Sequence, residues 1–189
     1  MMMMLTQFVN KGEEMRTITV KKQTGGGKFS PGWKEVEITK AAYGDFNGTK
    51  YIDCFFNDYP DSLNLRIYEK KGKDGEEFAI GRLFRFANAG ITEVLSGPDG
   101  DNVVKIDDSA ASLVGKKVNV YFYKDGKYSR VLSSVAPTVF ENQLETFSDD
   151  DVTYWKGAAE NYFHKFVATK LQNENTSEST TSDDDEIPF

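Results

Sequence analysis

Aromatic residues make up 13% of this 189-residue chain, and many of them stand beside lysine or arginine. The main instances are Trp33 and Lys34, Tyr51 and Phe55, Arg66 and Tyr68 with Lys70 and Lys71, and Tyr121, Tyr123, Tyr128 and Arg130. Rings interleaved with cations suit single-stranded nucleic acid. Bases stack on the rings, each contributing ~1–3 kcal/mol, while the cations follow the phosphates. Exposed sheet faces also carry Tyr, Arg and Lys simply because these residues suit half-buried strands, so the pattern states a capacity and no more. Other chemistries lack their residues. His164 is the only histidine, which leaves no His-based metal cluster and no Ser-His-Asp triad. Gly25-Gly26-Gly27-Lys28 fails as a phosphate loop, because Lys22 replaces its first glycine and Phe29 its magnesium-holding hydroxyl. Asp107-Asp108 and Asp149-Asp150-Asp151 can meet a divalent ion, but a helix start explains the second run without one. No catalytic group, metal or cofactor is expected.

Strands must position those rings. Short alternating runs broken by Gly, Asn-Gly or Asp-Gly predict strands near 16–23, 33–39, 50–56, 63–69, 77–82, 117–123 and 128–135. Apolar residues at Leu83, Phe84, Ala87, Ile91 and Val94 predict a short helix. Ser109 to Val114 reads as one helical turn stopped by Gly115. Lys70, Lys71 and Lys73, and Lys21, Lys22 and Lys28 around the glycine run, fall in loops that can clamp a phosphate backbone. A basic path is expected along Lys70, Lys71, Lys116, Lys117 and Arg130.

Pairing rules sort the faces. A two-residue turn at Asp125-Gly126 would set Lys124 opposite Lys127 and Tyr123 opposite Tyr128. Paired residues share a face, and faces alternate along a strand. Tyr121, Tyr123, Tyr128 and Arg130 then form an exposed plate, with Val118, Val120, Phe122 and Val131 in the core. The same sorting buries Leu63, Leu65 and Ile67 against outward Asn64, Arg66 and Tyr68. It also sends Ile52, Cys54 and Phe56 one way and Tyr51, Asp53 and Phe55 the other. Cys54 is thus expected to be inert core. At Asn47-Gly48 a similar turn would pair Asp45 with Lys50.

Charge divides the chain. Residues 1–140 carry 20 basic and 18 acidic side chains, whereas residues 141–189 carry 3 and 12, within a net charge of −7. Ser148 followed by three aspartates predicts a helix start. Trp155, Ala159, Tyr162, Phe163 and Phe166 give that helix one apolar stripe, to pack on the body or on a second subunit of a homo-oligomer. From Gln172 to Ser182 there is no apolar residue, and such a segment is expected to be a disordered linker. The expected division is a nucleic-acid-binding domain over 1–140, an amphipathic helical segment over 141–171, the linker over 172–182 and a docking tip over 183–189. No run approaches the ~18 apolar residues of a membrane span. Residues 1–8 lack a basic-then-apolar leader, and one cysteine cannot form an internal disulfide, so the chain reads as cytoplasmic.

The tip is the most specific signal. Asp183, Asp184, Asp185 and Glu186 stand directly before Ile187, Pro188 and Phe189. Phe189 can fill an apolar pocket, its carboxylate can meet a cation there, and the acids can lie along a basic ridge. A solubility tail has no reason to end in Ile-Pro-Phe. This end resembles the C-terminal tip of the bacterial single-stranded DNA-binding protein family, in which an Asp run precedes Ile-Pro-Phe and recruits replication, recombination and repair enzymes. Glu186 departs from that run while keeping the charge. With the helix before the tail, the plan is more similar to phage-encoded members working in a bacterial host. The resemblance implies a mainly β, OB-fold-like five-stranded barrel with extra hairpins, one or two short helices and a C-terminal amphipathic helix. It also implies sequence-tolerant single-stranded DNA binding without catalysis. Two other readings stay open on the residues alone: an adaptor that carries the tip and binds no nucleic acid, and a strand-annealing or RNA-binding module.

Overall fold

A computed structural model describes residues 29–178. The expected strand at 16–23, the glycine-run loop and the tip at 183–189 lie outside the described residues.

Strand β1 (Gly32–Phe46) is the spine of the fold. Its first part pairs with β6 (Lys117–Asp125) from Gly32 to Glu37, and its second part pairs with β2 (Thr49–Phe56) from Ile38 onward. The register breaks between Ile38 and Lys40, where Thr39 is the extra residue of a bulge. A bulge bends a strand and increases its twist, so the sheet curves at the point where β1 changes partner. Adding β3 (Leu65–Tyr68) beside β2 and β7 (Tyr128–Val131) beside β6 completes a five-stranded antiparallel sheet in the order β3-β2-β1-β6-β7. The edges β3 and β7 are not hydrogen-bonded to each other, so the expected closed barrel is an open, curved sheet.

The concave side is the core, and the face sorting holds there. Ile38, Ile52, Leu65, Val118, Val120 and Phe122 are fully buried against Leu83, Phe84 and Phe86 of the helix α1 (Ala79–Phe86). Cys54 lies among them, and burial, with the nearby Asp53 charge, pushes its thiol up to about 12. A thiol so shifted has no appreciable thiolate at neutral pH. The Asn47-Gly48 turn has both residues at positive φ, 52° and 80°, and sets Asp45 opposite Lys50 as expected.

Four expectations are corrected. Residues 77–82 alternate as a strand does, yet the chain turns helical at Ala79. The Glu77 carboxylate accepts from the backbone N–H groups of Ala79, Ile80 and Gly81, satisfying donors that a helix start leaves free. The helix expected over 83–94 therefore begins earlier. It stops at Phe86, where Asn88 takes a left-handed conformation at φ 52° and Asn88 and Ala89 donate back to the carbonyls of Arg85 and Phe84. Beyond it the chain forms an unexpected hairpin of β4 (Ile91–Ser96) and β5 (Asn102–Ile106). In the β6–β7 hairpin the loop is Gly126-Lys127, so Tyr123 faces Arg130 and Asp125 faces Tyr128. That two-residue slip preserves parity, and each side chain keeps its predicted face.

Beyond a short pairing of β8 (Phe140–Glu141) with β9 (Thr146–Phe147), the helix α2 (Asp149–Tyr162) begins as predicted at Ser148. Asp151 N–H donates to Ser148 Oγ at 3.3 Å, and Ser148 N–H donates to the Asp151 carboxylate at 2.8 Å. These bonds form a capping box, and the Ser148 N–H holds the Asp151 carboxyl below its ordinary value. A π-helical stretch (Phe163–Ala168) leads into α3 (Thr169–Glu178). The expected linker is thus helical over 172–178. Composition argues against independent folding there, but a helix already nucleated extends without repeating that cost.

Candidate nucleic-acid interface

The convex side of β1, β2 and β3 carries a continuous row of rings and cations. Phe55 stands opposite Lys40, Asp53 opposite Ala42 and Arg66, and Tyr51 opposite Gly44 and Tyr68. Lys40 Nζ lies 5.0 Å from the Phe55 ring centroid. The Arg66 guanidinium lies 4.0 Å from that of Tyr51, and the Tyr51 and Tyr68 rings meet edge to face at 5.5 Å. Arg66 also forks onto Asp53, donating to each carboxylate oxygen at 2.7 Å. That bond raises the guanidinium further above its ordinary value. The sequence-predicted Tyr51, Phe55, Arg66 and Tyr68 are therefore brought together, and Lys70 lies just past the end of β3.

Gly44 makes room for this row. A Cβ there would overlap the far end of the Tyr51 ring, which lies across β1 at that point. Gly44→Ala should displace the ring, unstack Arg66 and leave the backbone intact. We expect single-strand affinity to fall by about tenfold, the loss of one stacked base, with thermal stability near wild type. Fluorescence anisotropy and a thermal melt would check the two halves of this expectation.

The second expected cluster is not an open plate. Trp33, Tyr121 and Tyr123 do point outward, but the C-terminal helix lies on them. Trp33 Nε1 donates to Glu160 at 2.6 Å, and Lys156 Nζ sits 5.6 Å from the Trp33 ring. Phe163 packs on Tyr121 at 5.3 Å and on Tyr123 at 5.2 Å. Burial pushes the Tyr123 hydroxyl up, against the opposing charge of Arg130. The apolar stripe of α2 thus has its partner within this chain, although Phe166 remains exposed. Lys34 alternates with Trp33, shares a row with Val36 and Ile38, and donates to Ser30 at 3.1 Å. It does not join the ring row. Tyr128 is open at the β6–β7 turn, with Lys127 and Arg130 on its ring.

Carboxylates also interrupt the expected basic path. Lys71 pairs with Glu69 at 3.7 Å, Lys117 with Glu35 at 3.8 Å and Arg130 with Asp125 at 3.1 Å. Lys70 and Lys116 are in no ion pair among the described residues. Sequence reasoning missed a cleft of about 440 Å³ lined by Tyr68 at the end of β3 and Lys70 past it, Phe78 and Arg82 at α1, and Trp155 and Tyr162 of α2. Lys70 Nζ lies 5.9 Å from the Tyr162 ring and the Arg82 guanidinium 5.3 Å from that of Trp155.

No group of three or more His, Cys, Asp or Glu side chains gathers as for a metal among the described residues. None of their helices is long and apolar enough to cross a membrane. No protein-family model matches the chain, and a search of curated proteins finds no match either.

Proposed function

We propose that the chain binds single-stranded DNA without sequence preference along the convex row of β2 and β3, and that residues 183–189 recruit partner enzymes to the coated strand. The observation that carries the reading is the row itself: Phe55 with Lys40, Tyr51 with Arg66, then Tyr68 and Lys70. Rings offer stacking surfaces to every base, and the cations answer the phosphates. From Phe55 to Tyr51 the row spans about 13 Å at ~3.3 Å per residue. The proposal includes an OB-like fold, in which β1, β2, β3, β6 and β7 are the five strands and the β4–β5 hairpin is an insertion. OB-folds bind oligonucleotides on the face of strands two and three and on the loops joining strands one to two and four to five. Here those loops are Asn47-Gly48, beside exposed Phe46, and Gly126-Lys127, beside exposed Tyr128.

Titrating labelled oligo-dT and a duplex of equal length tests the reading. Tight binding of the first and weak binding of the second supports it, and equal affinity for both overturns it. The recruitment half has its own expectation. Phe189→Ala should leave oligo-dT affinity near wild type and abolish capture of replication and repair enzymes by the immobilised chain. Capture that survives the substitution would remove the tip from the proposal.

A further inference from the structure

Three of the four described arginines are neutralised by a carboxylate: Arg66 by Asp53, Arg85 by Glu145 and Arg130 by Asp125. Arg82 is the exception. It makes no ion pair among the described residues, and neither does Lys70 across the cleft. Both cations are instead held on ring faces, Arg82 on Trp155 and Lys70 on Tyr162. A cation–π contact orients a charge without cancelling it, so the cleft presents two fixed positive charges between aromatic walls. Its size falls within the range of small-ligand sites.

We infer that this cleft seats one nucleotide of the bound single strand, with its base against the ring walls of Phe78, Trp155 and Tyr162 and its phosphate between Lys70 and Arg82. The inference rests on the single-strand function proposed for the β2–β3 row and extends it past the row's end, to Arg82 of α1 and the rings of α2. Continuity favours a strand over any other occupant. Tyr68 ends the row and also lines the cleft, so a strand stacked on Phe55, Tyr51 and Tyr68 arrives at the cleft mouth. The cleft also lies at the seam between the sheet edges, with β3 on one side and Ser133, Ser134 and Val135 just beyond β7 on the other. The helix α2 that covers Trp33 and Tyr121 thereby supplies two new rings in exchange.

The chain has two tryptophans, so Trp33→Phe makes Trp155 the sole reporter. In the full-length Trp33→Phe chain, oligo-dT should quench Trp155 fluorescence with the same midpoint that anisotropy gives for binding. Arg82→Gln should weaken oligo-dT by about tenfold. It should also reduce the slope of log affinity against log salt by about 0.7, the share of one phosphate. Phe78→Ala, at an exposed ring wall of the cleft, serves as the second variant should Arg82→Gln melt early. A loss of affinity of about tenfold, the share of one stacked base, is expected of it, with the salt slope unchanged. Oligo-dT that binds while Trp155 stays unchanged, Arg82→Gln keeps the wild-type slope and Phe78→Ala keeps the wild-type affinity overturns the cleft site and leaves the β2–β3 row standing. Absence of oligo-dT binding overturns the single-strand function itself. Two further arms identify other occupants. Free dTMP that quenches at oligomer concentrations would make the cleft a mononucleotide pocket. Quenching by the peptide Asp-Asp-Asp-Glu-Ile-Pro-Phe, but not by oligo-dT, in a chain truncated after Ser182 would make it an acidic-peptide site. Either result overturns the inference.

Discussion

Replacing Tyr51 and Phe55 together by alanine should weaken single-strand binding by at least roughly thirtyfold. Each ring offers one stacking surface, and two stacked bases lost at ~1–3 kcal/mol apiece amount to about 2 kcal/mol at the lower end. Both side chains point away from the core, whose members on the same strand are Ile52, Cys54 and Phe56. The fold should therefore persist, with a loss confined to the Arg66–Tyr51 stack, the Tyr51–Tyr68 edge contact and the Lys40–Phe55 contact. Anisotropy with oligo-dT and far-UV circular dichroism separate the two effects. A double variant that binds as wild type would show that bases do not stack on this row.

Phe86→Ala should be the most damaging single change to stability. Phe86 is fully buried, and its ring centroid lies 5.4 Å from that of Phe147 and 5.0 Å from that of Trp155. It joins α1 to the base of α2, so the cavity opens where the two meet. Buried Phe-to-Ala changes cost about 3–5 kcal/mol, a large part of the ~5–15 kcal/mol that stabilises a typical domain. For a chain of this size the melting midpoint should drop by roughly 6–20 °C. Loss of cleft binding should accompany it, because Trp155 is a cleft wall. A drop of less than about 6 °C would mean that α2 is held by other contacts.

The parts of this molecule legible in the sequence are those governed by parity. Alternation placed Ile52, Cys54 and Phe56 inside and Tyr51, Asp53 and Phe55 outside, and it survived the slip at Gly126-Lys127 because a shift of two residues does not exchange faces. Ser148 was legible as a helix start because an N-cap followed by acids is a local motif, and the structure adds the reciprocal bond from Asp151. Residues 77–82 were not, since Phe78, Ile80 and Arg82 satisfy a two-residue period while Ile80, Leu83 and Phe84 satisfy a helical one. The deciding contact is a carboxylate on three backbone donors, which no periodicity reports. The covering of Trp33 by Glu160, 127 positions away, is likewise tertiary information. So is the isolation of Arg82. Its neighbour Arg85 finds Glu145 60 positions on, and nothing local distinguishes the two arginines. Alternation assigned Tyr121 and Tyr123 to an open face, and residue type alone added Trp33, whereas in the structure the C-terminal helix takes all three.

The most direct test of single-strand binding along the β2–β3 row is the salt dependence of oligo-dT affinity, measured by anisotropy on the full chain. Lys40, Lys70 and Arg82 are the cations of the row and cleft without an ion pair among the described residues. Three neutralised phosphates give a slope of about −2 in log affinity against log salt, at roughly −0.7 per phosphate. That slope is the expected result for oligo-dT, reduced in Lys40→Gln and Lys70→Gln, with duplex DNA bound far more weakly throughout. An affinity that does not change with salt, or a duplex bound as tightly as the single strand, would contradict single-strand binding on this row.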